Sequence, residues 1–226
     1  MELLCVPGAG GSARAFRPWV EALAPDVTVR PLNLRGRDTP VSTLVETAAR
    51  LAERIPRDGR YALAGHSMGG LIAYEMARLA CATEAWPRPE FVVVAGARPP
   101  HLSSASEFAR LVAIADDDEF LDALAAAGFV EPGARDSPMR GLFVPTLRAD
   151  LRLVAEYRPE PGEPLPVDLL AWHGADDLSA PAAAVGGWAR YTAARFRTAA
   201  FPGGHHFPFQ RPAEVAALLR AHVSVH

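Results

Sequence analysis

Tyr61-Ala62-Leu63-Ala64-Gly65-His66-Ser67-Met68-Gly69-Gly70-Leu71-Ile72-Ala73-Tyr74 decides how the rest of this chain is read. The first four residues are an apolar run that predicts a buried strand, and Leu71 to Ala80 has the apolar face of a helix. Between them stands Gly-x-Ser-x-Gly. A serine on a sharp strand-to-helix turn holds a strained backbone, and its neighbours two residues away must lack side chains so that strand and helix can close on each other. Such a turn lifts the hydroxyl above the sheet edge and aims helix N-terminal amides at it. Ser67 is therefore the candidate nucleophile.

Outward from this stretch, short apolar runs alternate with helical patterns. Strands are predicted at Leu3 to Val6, Val27 to Arg30, Phe91 to Ala95, Val167 to Trp172 and Arg195 to Phe201. Ser12 is read as the cap of a helix with Phe16, Trp19, Val20 and Leu23 inward. Ser42 is read as the cap of another, with Leu44, Val45, Ala48, Leu51 and Ala52 inward. Pro181 to Ala194 and Arg211 to Val223 are read as helices flanking the last strand. Continuously apolar strands separated by helices predict a mostly parallel sheet covered on both faces, hence an α/β fold. One stretch breaks the alternation. From about Arg98 to Pro166 only helical patterns occur: Ser106 to Ala115, Asp116 to Ala127 and Met139 to Tyr157. This predicts a helical lid inserted over the C-terminal edge of the sheet, within one domain spanning residues 1–226. The acidic run Asp116-Asp117-Asp118-Glu119 suits a helix N-terminus.

Composition bounds the function. The chain has 226 residues, half of them hydrophobic, and a formal net charge of −3. Its arginines are scattered, so no basic stripe predicts nucleic-acid binding. No apolar run approaches the roughly 20 residues of a membrane span, and the N-terminus lacks the pattern of a signal peptide. A cytoplasmic protein is expected. Cys5 and Cys81 are read as small hydrophobes; neither has metal-ligand spacing.

A nucleophilic serine needs a base, and the base needs an orienter. In the fold that uses such a turn they follow in the order Ser, Asp, His, in loops after strands. The fifth strand runs into Trp172-His173-Gly174-Ala175-Asp176-Asp177, and the sixth into Phe201-Pro202-Gly203-Gly204-His205-His206. Each loop offers two adjacent candidates. Residue types and spacing leave Asp176 or Asp177, and His205 or His206, open. Whichever is not used is read as a turn carboxylate or a pocket wall, and His66 as support beside the nucleophile. The oxyanion of an acyl-transfer intermediate needs two backbone donors. The amide of Met68 is one. The amide of Ala9, in the loop Pro7-Gly8-Ala9-Gly10-Gly11, is the other.

Together these pieces resemble the type II thioesterases of polyketide synthases and nonribosomal peptide synthetases, which have the α/β-hydrolase fold. The matching segments are Pro7-Gly8-Ala9-Gly10-Gly11-Ser12-Ala13, Gly65-His66-Ser67-Met68-Gly69-Gly70, Leu147-Arg148-Ala149-Asp150, Gly174-x-Asp176-Asp177 and Pro202-Gly203-Gly204-His205. The resemblance runs nearly end to end, and it implies Asp177 as orienter and His205 as base. It further implies hydrolysis of an acyl thioester held on a phosphopantetheine arm, with no cofactor or metal. The implied partner is an acidic acyl-carrier or peptidyl-carrier protein, which Arg14, Arg17, Arg35 and Arg37 are candidates to meet. A monomer is expected. The chain departs from the family pattern in three places. A strand usual before the first one is not seen, Asn33-Leu34-Arg35-Gly36-Arg37 replaces a Pro-Gly-Arg run, and His206 stands where an aromatic or aliphatic residue is usual. A carboxylesterase or acyltransferase would use the same triad, and a catalytically idle carrier-binding module is the reading from another class.

Overall fold

The computed structural model describes residues 1–34, 43–103 and 105–224. Arg35, Arg37 and Ser42 lie outside the described residues. Six strands form one sheet: β1 Glu2–Val6, β2 Thr28–Pro31, β3 Tyr61–His66, β4 Phe91–Ala95, β5 Asp168–Gly174 and β6 Phe196–Phe201. Their order is β2-β1-β3-β4-β5-β6, and every pairing between them is parallel.

The period of two along each strand divides the core into two layers. Leu4, Val6, Leu63, Val92, Val94 and Leu169 face one side. There they meet helices α2 (Leu44–Ala52) and α3 (Met68–Ala82). Leu3, Cys5, Ala62, Ala64, Val93 and Leu170 face the other. That layer is completed by Trp19 and Leu23 of α1 (Arg17–Leu23), Phe207 of the short α8 (Phe207–Gln210), and Val215 and Leu219 of α9 (Pro212–Val223). The strands buried on both faces are the ones whose sequence is apolar throughout. Edge strand β6 alternates more weakly and keeps Arg197 and Thr198 exposed.

Several local expectations are corrected. Ser12 caps through its backbone only, because Ala13–Phe16 is a 3-10 turn whose Ala15 amide bonds to the Ser12 carbonyl at 3.0 Å. Three residues per turn there shift the phase of α1, so Val20 points outward, 41% exposed. Helix α2 is capped by Thr43, in a capping box with Glu46. Its buried stripe is Leu44, Thr47, Ala48, Leu51 and Ala52; Val45 lies off that stripe and is 38% exposed. The helix expected at Pro181 to Ala194 is one turn, α7 (Ala182–Val185), followed by a 3-10 segment, Gly186–Tyr191, where two glycines weaken helical continuation. Cys5 is buried as expected, but Cys81 is only half-buried.

Between β4 and β5 no strand occurs among the described residues. Helices α4 (Ala105–Ala113), α5 (Asp117–Ala126) and α6 (Arg140–Glu156) occupy this stretch. They share a separate small core of Phe120, Leu121, Leu124, Val144, Leu147 and Leu151. Asp116 caps α5, accepting from the amides of Asp118 at 2.9 Å and Glu119 at 3.0 Å.

Candidate active site

The strand order reverses at β1, which is flanked by β2 on one side and β3 on the other. Loops leaving β1 and β3 therefore diverge and open a crevice at the C-terminal edge, the place where open α/β sheets bind ligands. Ser67 stands there, directly between β3 and α3. Its φ of 56° and ψ of −124° make it the one non-glycine residue with positive φ among the described residues. Such strain costs about 1–3 kcal/mol and persists only where surrounding structure enforces it. The enforcement is visible at the two flanking glycines. A Cβ on Gly65 would overlap the carbonyl of Gly69, and a Cβ on Gly69 would overlap the Val6 carbonyl of β1. The Ser67 amide is held by the Ala95 carbonyl of β4 at 2.8 Å.

Asp177 and His205 are brought together in the loops after β5 and β6. Asp177 Oδ2 accepts from His205 Nδ1 at 2.9 Å, and both residues are buried. The second carboxylate oxygen, Oδ1, accepts from the amides of Ser179 (2.9 Å) and Ala180 (3.1 Å) and from the Ser179 hydroxyl (2.6 Å). Burial alone would raise the Asp177 carboxyl. The bond and charge of His205, with Ser179 and Ala180, outweigh that and hold it at about 2. Asp177 is thus a carboxylate at neutral pH, with one oxygen fully engaged and the other directed at the imidazole.

The neighbours separate clearly. Asp176 is exposed, and its part in the turn is a bond from its backbone amide to the Gly203 carbonyl at 3.0 Å. His206 stands in the wall of the crevice. Burial, with His205 next in effect, pushes its imidazole below the ordinary histidine value. His66 supports the site from behind, donating from Nε2 to the His205 carbonyl at 2.8 Å, its ring 4.7 Å from that of His205. Burial pushes His66 well below the ordinary value, so it is neutral.

Ser67 lies at the join of two cavities. One, of about 40 Å³, is lined by Met68, Leu71, Gly96, Phe108 and Ser179 as well as Ser67. The other, of about 170 Å³, is lined by Gly8, Ala9, His205, His206 and Phe209 as well as Ser67. Phe129 and Leu151, from the helical segment, border both. The Met68 amide belongs to the first turn of α3, where N–H groups lack acceptors within the helix. Ala9 reaches the crevice from the β1 loop, which sits close enough that a Cβ on Gly8 would lie 3.2 Å from the Ser67 Cβ.

Two residues of this site escape sequence reasoning. The Ser179 hydroxyl lies 2.7 Å from His205 Nδ1 as well as bonding Asp177. Gly96, with φ of +59°, sits under the pair: a Cβ there would lie 3.3 Å from His205 Nδ1 and 3.4 Å from Asp177 Oδ2. Gly96 had a signal, as the glycine that ends the apolar run of β4. Ser179 had none beyond standing two residues after a candidate aspartate.

A donor-lined crevice with an elbow serine and a buried Asp–His pair is equipped for acyl transfer through a covalent intermediate. Comparison with known proteins identifies the family. Residues 1–223 match the family model of the thioesterase domain. The chain is 33% identical to the thioesterase PikA5 of Streptomyces venezuelae, over 92% of this chain and 75% of that protein. It is 35% identical to the antimetabolite synthetase AmbE of Pseudomonas aeruginosa, over 97% of this chain but only 10% of that much longer protein. Among solved structures, YbtT, a type II thioesterase from the yersiniabactin NRPS/PKS pathway, superposes with a TM-score of 0.79 at 28% identity, covering 98% of this chain and 92% of that one. With its all-parallel sheet and elbow serine, the chain belongs to the thioesterase family, as an enzyme of the α/β-hydrolase fold that hydrolyses thioesters.

Proposed function

We propose that Ser67, His205 and Asp177 are nucleophile, base and orienter, and that the amides of Met68 and Ala9 form the oxyanion hole. Ser67 Oγ attacks the thioester carbonyl, and its proton passes to His205 Nε2. Asp177 holds the other ring nitrogen protonated and in place. The two amides receive the oxyanion, which collapses with loss of the thiolate; His205 returns the proton to the sulfur. Water, giving a proton to the same nitrogen, then attacks the acyl-serine. As the acyl–oxygen bond breaks, His205 hands that proton to Ser67 Oγ, the acid leaves and Ser67 is restored. The observation that carries this reading is the buried 2.9 Å bond from His205 to Asp177, set beside the cavity that Ser67 and Ala9 also line.

The substrate in this proposal is an acyl group on the phosphopantetheine arm of a carrier protein of a polyketide or nonribosomal peptide assembly line, met by a monomeric enzyme in the cytoplasm. Support comes from the family and from the NRPS/PKS pathway to which YbtT belongs. No helix among the described residues is long and apolar enough to cross a membrane. Arg14 and Arg17 are exposed beside Ala15, which lines the larger cavity, and so lie where an acidic carrier would approach. Arg17 already pairs with Glu21 at 2.9 Å, an exposed pair of small energetic weight that a carrier would exchange readily.

The test is turnover of acyl-carrier thioesters by the wild-type and Ser67→Ala proteins, beside the matching oxygen esters. Turnover lost in Ser67→Ala, with thioester favoured over ester, is expected. Unchanged turnover in Ser67→Ala would overturn the catalytic reading, and preference for the oxygen ester would favour a carboxylesterase.

A further inference from the structure

The segment Leu147-Arg148-Ala149-Asp150 lies far from Ser67 in sequence, and none of its residues takes part in the proposed chemistry. In the structure it sits on α6 and faces two ways. Asp150, only 4% exposed, accepts a hydrogen bond at Oδ2 from the backbone N–H of Gly10, at 2.8 Å across 140 positions of sequence. Leu147, three residues earlier on the same helical face, packs on the same glycine: a Cβ on Gly10 would lie 3.1 Å from the Leu147 Cβ. Gly10 has φ of +67° and takes that position without a side chain to obstruct α6.

Arg148 turns to the other side. Its guanidinium donates several bonds: to the carbonyls of Ile114 (2.6 Å), Ala115 and Asp116 (both 3.2 Å), where α4 ends and α5 begins, and to Asp117 Oδ1 at 2.9 Å. It also stands 3.9 Å over the ring of Phe120. One turn of α6 thus grips the β1 loop with one face and the α4–α5 junction with the other.

We propose that Asp150 is a positioning residue for the oxyanion hole, holding the peptide between Ala9 and Gly10 so that the Ala9 amide stays aimed at the oxyanion, and that α6 thereby makes catalytic competence depend on the helical segment being seated. This rests on the reading of Ala9 as a donor. A charged acceptor on a backbone N–H is a strong restraint. Without it the β1 loop is free to turn about the dihedrals of Gly8 and Ala9, and a displacement of about 1 Å at such a donor is enough to cost on the order of a hundredfold in rate. Substrate binding in the cavities does not require that bond, so the loss falls on kcat rather than on KM.

The experiment compares wild type, Asp150→Asn and Asp150→Leu with a short acyl N-acetylcysteamine thioester, and with the trifluoromethyl ketone of the same acyl chain. The ketone adds to Ser67 and places a stable oxyanion in the hole. Asp150→Asn retains a carbonyl acceptor and is expected to stay within about tenfold of wild type. Asp150→Leu is expected to lose about tenfold to a hundredfold in kcat, with KM changed less than about threefold and ketone affinity weakened by the same factor as kcat. Should leucine prevent folding, Asp150→Ser removes the reach of the carboxylate while keeping a small polar side chain. Wild-type ketone affinity retained in the Leu or Ser variant would overturn the role of Asp150 alone. A wild-type enzyme that binds the ketone no better than its product acid would overturn the oxyanion reading itself, and this proposal with it.

Discussion

Strand β5 carries a buried aspartate–histidine pair at each of its ends. Beyond its C-terminal end, Asp177 accepts from His205 at 2.9 Å. At its N-terminal end, Asp168 lies 3.5 Å from His222 of α9 and binds Arg195 at 2.9 Å. Both histidines and both aspartates are buried. The contacts differ, a hydrogen bond at 2.9 Å against an ion-pair contact at 3.5 Å, and so does the company. His222 packs edge-on against Phe91 at 4.7 Å, and Arg195 neutralises Asp168. That pair ties α9 and β6 to the bottom of the sheet. His205 instead shares a cavity with a strained serine and a glycine loop. An Asp–His pair is therefore no evidence of catalysis by itself. Its position at the C-terminal edge, next to the reversal in strand order, sets it beside Ser67 and an open cavity.

Exchanging each aspartate for asparagine breaks or sharpens this contrast most strongly. Asp177→Asn is expected to lower kcat by about 10⁴-fold, because the amide cannot hold the imidazole in the working tautomer. Asp168→Asn is expected to leave kcat within about threefold and to lower stability by about 1–3 kcal/mol, read by denaturant unfolding. Equal kinetic losses in the two variants would erase the distinction. Gly96→Ala comes next. Its Cβ presses on the Asp177–His205 pair in a backbone conformation that alanine dislikes, so a loss on the order of a hundredfold in kcat is expected from steady-state kinetics.

Ser179→Ala is a smaller change, about tenfold in kcat, and it carries a pH signature. Asp177 is depressed to about 2, so its ionisation adds stability above the ordinary carboxylate range that is lost as pH falls through about 2. Removing the Ser179 hydroxyl raises the Asp177 carboxyl. The stability difference between wild type and Ser179→Ala should then be constant near neutral pH and shrink as pH falls below about 4, in urea titrations at each pH. A difference independent of pH would show that the hydroxyl does not act on the carboxylate. Smallest of all, Asp176→Asn should leave kcat within about twofold, since the side chain is exposed; a large loss would reassign the orienter.

Much of the architecture was legible in sequence because burial on both faces writes an apolar run. Leu3 to Val6 and Phe91 to Ala95 are such runs, and both are strands. Helix phase was legible only where the backbone keeps its period. Val20 comes after a 3-10 turn, and its side chain points to solvent where regular spacing puts it inside. At the site, Gly65 and Gly69 announce the elbow because backbone atoms forbid any side chain there. Adjacent candidates such as Asp176 and Asp177 have identical chemistry. Only the turn that buries one and exposes the other separates them, and that turn depends on Gly203 in a loop more than 20 residues later. Asp150 shows the same limit at longer range: its partner is a backbone amide 140 positions away, which no side-chain pattern announces.

Catalysis through Ser67 is tested most directly by mass spectrometry of the protein quenched during turnover of a slowly hydrolysed acyl-carrier thioester. One acyl adduct is predicted, mapped to the peptide containing Ser67, present in wild type, longer-lived at partial occupancy in Asp177→Asn, and absent in Ser67→Ala. Turnover at wild-type rate in Ser67→Ala, or an adduct on any residue other than Ser67, would contradict it.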